Sequence, residues 1–226
     1  VLFVHGGSWE TQNEEVGEEK EALSLQEQGF CVFSMNYTEA KKSQPAFPIQ
    51  VTDIEEAVKW IQEHASEYNG NSALLSIIGG SSGGNISLLA VEKMAASTFR
   101  SSVTLSAITN FPTIITYEEE RHAKGESAQL YQAIPQALGF ATIQEVTKAA
   151  AEEWSPTDHI PSTMPPCWIA GSHSESEVPF SQQAEMAAAL EAKGQTPTLV
   201  EATGGGHSFE YWRQVEKKIV EFIRAH

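Results

Sequence analysis

Apolar and polar positions along this 226-residue chain predict strands and helices in regular succession. Short runs rich in apolar residues, at residues 1–4, 30–36, 74–78, 102–108, 167–170 and 198–202, read as strands. The run 74–78 is apolar but for Ser76, as at the centre of a parallel sheet. Between the strands the period changes. Val51, Ile54, Val58, Ile61 and Ala65 recur at helical spacing, with Pro48 just ahead of them. Residues 14–28 read as a helix stopped by Gly29, and 184–193 as one stopped by Gly194. Residues 82–96 form a mostly apolar, buried helix, and a last helix carries Phe209, Trp212, Val215, Ile219, Phe222 and Ile223 on one side. Alternation of this kind predicts an α/β fold, a doubly wound and mostly parallel sheet with helices on both faces.

Between residues 110 and 153 the pattern shifts to Ala-, Gln- and Glu-rich segments broken at Gly125, Pro135 and Gly139. Thr142 and Glu145 have the spacing of a capping box, which predicts a helix starting at Thr142. This stretch reads as a small helical insertion, a lid or wall over the strand ends, inside one domain spanning residues 1–226. Length suits one such domain.

Composition narrows the choice of partner. A formal net charge of −16 argues against nucleic acid and against an anionic membrane surface, both of which require clustered Lys and Arg. Acidic residues concentrate at 10–21, 118–120 and 152–153, read as solvated faces and loops. No apolar run reaches the length that spans a membrane. Cys31 and Cys167 each open an apolar run and read as buried free thiols, without the neighbours that a metal site requires. The chain opens on Val1 already inside a strand pattern, which predicts that processing or truncation has removed residues upstream and leaves the compartment unassigned.

Two glycine-rich stretches carry the chemistry. Gly79-Gly80-Ser81-Ser82-Gly83-Gly84-Asn85 follows the central apolar run, the strand–turn–helix setting that holds a nucleophilic serine on a strained elbow. His5-Gly6-Gly7-Ser8-Trp9 follows the first strand and can offer backbone N–H groups to an oxyanion. The elbow has two registers, since Gly79-x-Ser81-x-Gly83 and Gly80-x-Ser82-x-Gly84 both satisfy the bare motif.

Together these stretches resemble the α/β-hydrolases, within them the esterase branch whose oxyanion loop reads His-Gly-Gly-x-Trp: feruloyl and acetyl esterases, arylformamidases and hormone-sensitive-lipase relatives. The branch pattern Gly-x-Ser-Ala-Gly-Gly-Asn, laid onto this sequence, makes Ser81 the nucleophile, with Ser82 at the alanine position. The resemblance makes His207, in Gly204-Gly205-Gly206-His207-Ser208-Phe209, the base. His173 is its rival among seven histidines. The family's Gly-x-x-Asp-x-x-Val-Pro loop has its counterpart in residues 171–179, one residue longer. Counting back from Val178-Pro179 gives Glu175 as the acid, with Glu177 as fallback and Asp158 behind it. The order Ser81, Glu175, His207 follows that of α/β-hydrolases. Gly7, Ser8 and Ser82 are the implied oxyanion donors, Trp9 a pocket-lining residue, and no metal or organic cofactor is implied. Thr38 stands where relatives carry arginine.

The implied function is hydrolysis of carboxylic esters of small to medium size through an acyl-enzyme. Formamides, thioesters or lactones would use the same machinery, and a non-catalytic binding protein on the same fold is the alternative. Relatives carry two further strands beyond the one at 30–36. Their apparent absence predicts an exposed sheet edge, and with it homodimerisation or partner binding there.

Overall fold

The computed structural model describes residues 1–10 and 19–226. It begins with β1 (Leu2–Val4), α1 (Glu19–Glu27), β2 (Phe33–Met35), α2 (Ile49–His64), β3 (Ser76–Gly80), α3 (Ser81–Lys93) and β4 (Ser101–Leu105). Then come α4 (Phe111–Ala123), α5 (Leu130–Leu138), α6 (Lys148–Glu153), β5 (Cys167–Ser172), α7 (Phe180–Ala192), β6 (Thr198–Ala202) and α8 (Trp212–Ala225). The six strands form one sheet in the order β2-β1-β3-β4-β5-β6, and every pairing is parallel. Of the helix expected at 14–28, residues 14–18 lie outside the described residues.

Successive strand residues face opposite layers, as the two-residue period requires. Leu2 and Val4 join Ile77, α2, α3 and the helices of 110–153 in one core; Phe3 joins Ile78, Val103 and α8 in the other. Helix α8 closes that second face with Trp212, Val215, Ile219, Val220 and Ile223 buried. The chain leaves β1 toward β2 on one side and returns to β3 on the other. Strand order therefore reverses between β1 and β3, and a crevice opens at their carboxyl ends. The loop after β1 and the turn after β3 both lie at that crevice.

Three expectations are corrected. No helix starts at Thr142. Its side chain makes no cap hydrogen bond, only a 3₁₀ turn forms at Ile143–Glu145, and the chain is extended again at Val146. Helix α6 starts instead at Lys148, where the Thr147 hydroxyl accepts from the Ala150 N–H at 3.2 Å. Cys31 is only half-buried, whereas Cys167 is buried. Glu118 is not on a solvated face: the phase of α4 turns it inward to 1% exposure, close to Arg121.

Candidate active site

Ser81 stands where β3 turns into α3 with no residue between them. Its φ of 53° is left-handed, a strained conformation for a residue with a side chain. Gly80 makes the turn possible, because a Cβ there would run into the Ser208 hydroxyl and the Phe209 ring. Ser81 retains 7% exposure and lines a cavity of about 510 Å³, whereas Ser82 is wholly buried and its hydroxyl has no hydrogen-bond partner. The N–H groups of the first turn of α3 have no partners within the helix, and the helix dipole makes that end attractive to negative charge.

The loop after β1 turns sharply through Gly7, Ser8 and Trp9, with φ of 122°, 55° and 64°. Buried side chains hold it. Gln50 Nε2 donates to the Trp9 carbonyl at 2.8 Å and to the Thr38 carbonyl at 2.7 Å. Tyr37 donates toward the His5 and Gly6 carbonyls at 3.2 and 3.0 Å. Gly6 passes so near the elbow that a Cβ on it would sit 3.1 Å from Ser81 Cβ. Gly7 and Ser8 line the same cavity as Ser81. Trp9 does not, which corrects its expected role as pocket lining. It is wholly buried, donates to Asn85 Oδ1 at 3.2 Å, and packs on Phe47 and Phe111.

His207 follows β6, and its backbone N–H donates to Glu210 Oε2 at 2.9 Å. Its Nδ1 lies 3.1 Å from Glu175 Oε1, and its Nε2 lies 3.7 Å from Glu177 Oε2. The Glu175 side chain is wholly buried. Oε1 also accepts from the Val178 N–H at 3.1 Å, and Oε2 from the Ser106 hydroxyl at 2.6 Å. Burial works against the charged imidazolium of His207. The hydrogen bond and charge of Glu175, with Glu177 and Glu210 adding, outweigh it and raise the pKa above the ordinary histidine value.

The structure thus brings Ser81, Gly7, Ser8, Glu177 and His207 to one cavity, with Glu175 directly behind the imidazole. His173 is exposed and pairs with Glu201 at 3.0 Å, and Asp158 is exposed on a separate 3₁₀ turn. A larger cavity of about 1000 Å³ lies against α1, α2 and β2, and its lining includes no histidine. Among the described residues, no group of three or more His, Cys, Asp or Glu side chains is arranged to hold a metal ion.

Sequence reasoning missed Ser106, Tyr211 and Gln50. Ser106 has a φ of 49° just past β4, and its hydroxyl lies 2.9 Å from that of Tyr211, which is itself 3.1 Å from the Ala170 carbonyl. The available signal was a serine ending a central strand beside the elbow strand. For Gln50 it was an amide on the apolar face of α2, where a buried polar group requires partners.

Residues 1–190 match the model of the family described as BD-FAE. The chain belongs to the BD-FAE family. Curated relatives of this BD-FAE member include the probable carboxylic ester hydrolase LipM of Mycobacterium tuberculosis, 26% identical over 80% of this chain and 42% of the relative. Esterase LipQ of the same organism is 23% identical over 97% of this chain and 52% of its own length. The chain spans about half the length of these relatives. Among solved structures it is similar to the esterase Est2 of Thermogutta terrifontis, with a TM-score of 0.73, 18% identity, and 98% of this chain and 79% of that one covered. Esterase B of Lactobacillus rhamnosis superposes with a TM-score of 0.80 at 14% identity, covering 99% of this chain and 75% of that one. The fold is that of the α/β-hydrolases.

Proposed function

We propose that this chain is a serine hydrolase that cleaves small carboxylic esters through Ser81, His207 and Glu175. The observation that carries the reading is the carboxylate–imidazole contact of 3.1 Å behind a cavity shared by His207 and the strained Ser81. Two features favour Ser81 over Ser82 as nucleophile: its left-handed backbone and its access to the cavity. The relatives' printed names, esterases and a probable carboxylic ester hydrolase, agree with the reading.

In this mechanism His207 Nε2 takes the Ser81 proton as Oγ attacks the ester carbonyl. Glu175 orients the ring through Nδ1 and stabilises the imidazolium without taking its proton. The oxyanion is held by the N–H of Ser82 and by those of Gly7 and Ser8, each donor worth about 3 kcal/mol in the transition state. His207 then protonates the departing alcohol, and a water repeats the cycle on the acyl-enzyme. Formamides, thioesters and lactones would pass through the same steps. Residues 110–153 serve as a wall or lid in this reading, supported by Gln129 in the cavity lining and by the hydrogen bond from Tyr117 to the Ser176 carbonyl at 3.2 Å.

A p-nitrophenyl ester panel tests the proposal. Wild type hydrolyses short acyl esters, Ser81→Ala does not, and Glu175→Gln is slowed by about 10³–10⁴. Wild-type inactivity at every acyl length favours the binding-protein alternative.

A second proposal concerns assembly. Among the described residues β2 pairs only with β1, and half-exposed Leu23, Trp60 and Tyr68 flank that edge. Pairing of two copies there would cover it. Light scattering at the mass of a single chain removes this idea.

A further inference from the structure

Glu177 has a position that the triad does not use. It lies two residues beyond Glu175 in the loop between β5 and α7, yet the two carboxylates meet opposite sides of one imidazole. Glu175 faces Nδ1. Glu177 Oε2 lies 3.7 Å from Nε2, the nitrogen that must receive the Ser81 proton. The two differ in setting as well, the Glu175 side chain being wholly buried and that of Glu177 38% exposed within the active-site cavity. Among the hydrogen bonds of the described residues none joins Ser81 to His207, so the closest charged partner of Nε2 is Glu177. The loop is tethered beside it. Tyr117 donates to the Ser176 carbonyl at 3.2 Å and accepts from Arg121 Nη1 at 3.1 Å.

We propose that Glu177 is a positioning residue for His207: its carboxylate pairs with the protonated Nε2 and competes with Ser81 for that nitrogen, which sets the acid limb of activity. The inference rests on reading Ser81 and His207 as nucleophile and base. The chemistry is a proton balance. At low pH the Nε2 proton is shared with Glu177 and Ser81 has no base. As pH rises that proton leaves to solvent, the ion pair dissolves, and Nε2 becomes free to accept from the Ser81 hydroxyl.

Other titratable groups at the site are Glu175 in the same loop and Glu210 just after His207, with His5 beyond β1, Lys20 and Glu21 on α1, and Arg213 on α8 lining the same cavity. Glu118 and Arg121 on α4 lie on the Glu177 side. Glu175, Glu177 and Glu210 favour the charged ring while burial opposes it, and the carboxylates prevail. Glu177 is the one of these three that faces Nε2; it is partly exposed and Glu210 is exposed, so salt can screen both, whereas the buried Glu175 is shielded.

The test compares the pH dependence of kcat/KM for p-nitrophenyl acetate in wild type and Glu177→Gln. The acid-limb midpoint moves down by about half a unit to one unit in the variant, as removal of a nearby opposite charge requires. Raising salt moves the wild-type midpoint the same way and moves the variant's less, since Glu210 remains in both. Coincident acid limbs in two active proteins overturn the proposal. The His207 ring pKa, read by NMR titration of both proteins in a Ser81→Ala background, decides the matter independently of turnover. A lower value in the Glu177→Gln form supports the proposal, and equal values defeat it even if ester hydrolysis itself fails.

Discussion

The Ser106 hydroxyl donates to Glu175 Oε2 at 2.6 Å, on the oxygen opposite the one that faces His207. Both carboxylate oxygens are therefore engaged, Oε1 by the Val178 N–H and the imidazole, Oε2 by Ser106. A glutamate has one more rotatable bond than an aspartate, and these contacts remove that freedom. Ser106→Ala is expected to lower kcat for p-nitrophenyl acetate about tenfold with little change in KM. Loss of a hydrogen bond to a buried charge also costs about 1.5–3 kcal/mol of stability. Steady-state kinetics and urea unfolding check the two effects separately; a fully active variant would make Ser106 a packing residue only.

Gln50 holds the loop after β1. Gln50→Leu keeps the volume but leaves the Thr38 carbonyl without its amide donor, while the Trp9 carbonyl keeps only the Ala40 N–H at 2.8 Å. An acceptor left unsatisfied in this way costs about 1–3 kcal/mol. The expected result is a lower urea midpoint together with a kcat that falls more than KM rises, because in the proposed mechanism the loop's N–H groups serve the transition state. Unchanged kcat in a destabilised variant would separate the loop's stability from its catalytic geometry.

The sheet, its parallel character and most helices were legible because most strands lie in short runs rich in apolar residues and most helices repeat an apolar face. Element ends were less legible. Strand β2 shrinks to Phe33–Met35 and the Thr142 helix gives way to a 3₁₀ turn, since both depend on caps and neighbours that local patterns do not encode. The glycine motifs announce Ser81, Gly7 and Ser8, because only backbone turns and close approaches require so many glycines there. Trp9 misled: an aromatic after a turn reads alike whether it lines a pocket or fills a core. Ser106 and Gln50 act across 69 and 41 residues of sequence, so a polar residue at a strand end or on an apolar helix face marks the position without naming its partner.

Burial pushes the Glu118 carboxyl up from 4.5 to about 7, with Arg121 and the Leu130 and Tyr131 N–H groups pulling the other way. Below 4.5 the group is protonated in both folded and unfolded chains and costs nothing. As pH rises toward 7 the unfolded chain releases a proton that the folded one retains, so stability falls across that window. Glu118→Gln removes the penalty. Its melting temperature relative to wild type is expected to be higher at pH 8 than at pH 5. An identical difference at both pH values would mean that Glu118 ionises normally.

The central claim is that Ser81 is the nucleophile activated by His207. Its most direct test is to react the protein with a fluorophosphonate and map the adduct by peptide mass spectrometry. The account predicts one adduct, on Ser81, which is lost in Ser81→Ala and strongly slowed in His207→Ala. An adduct on Ser82, or none on a folded protein, would contradict it.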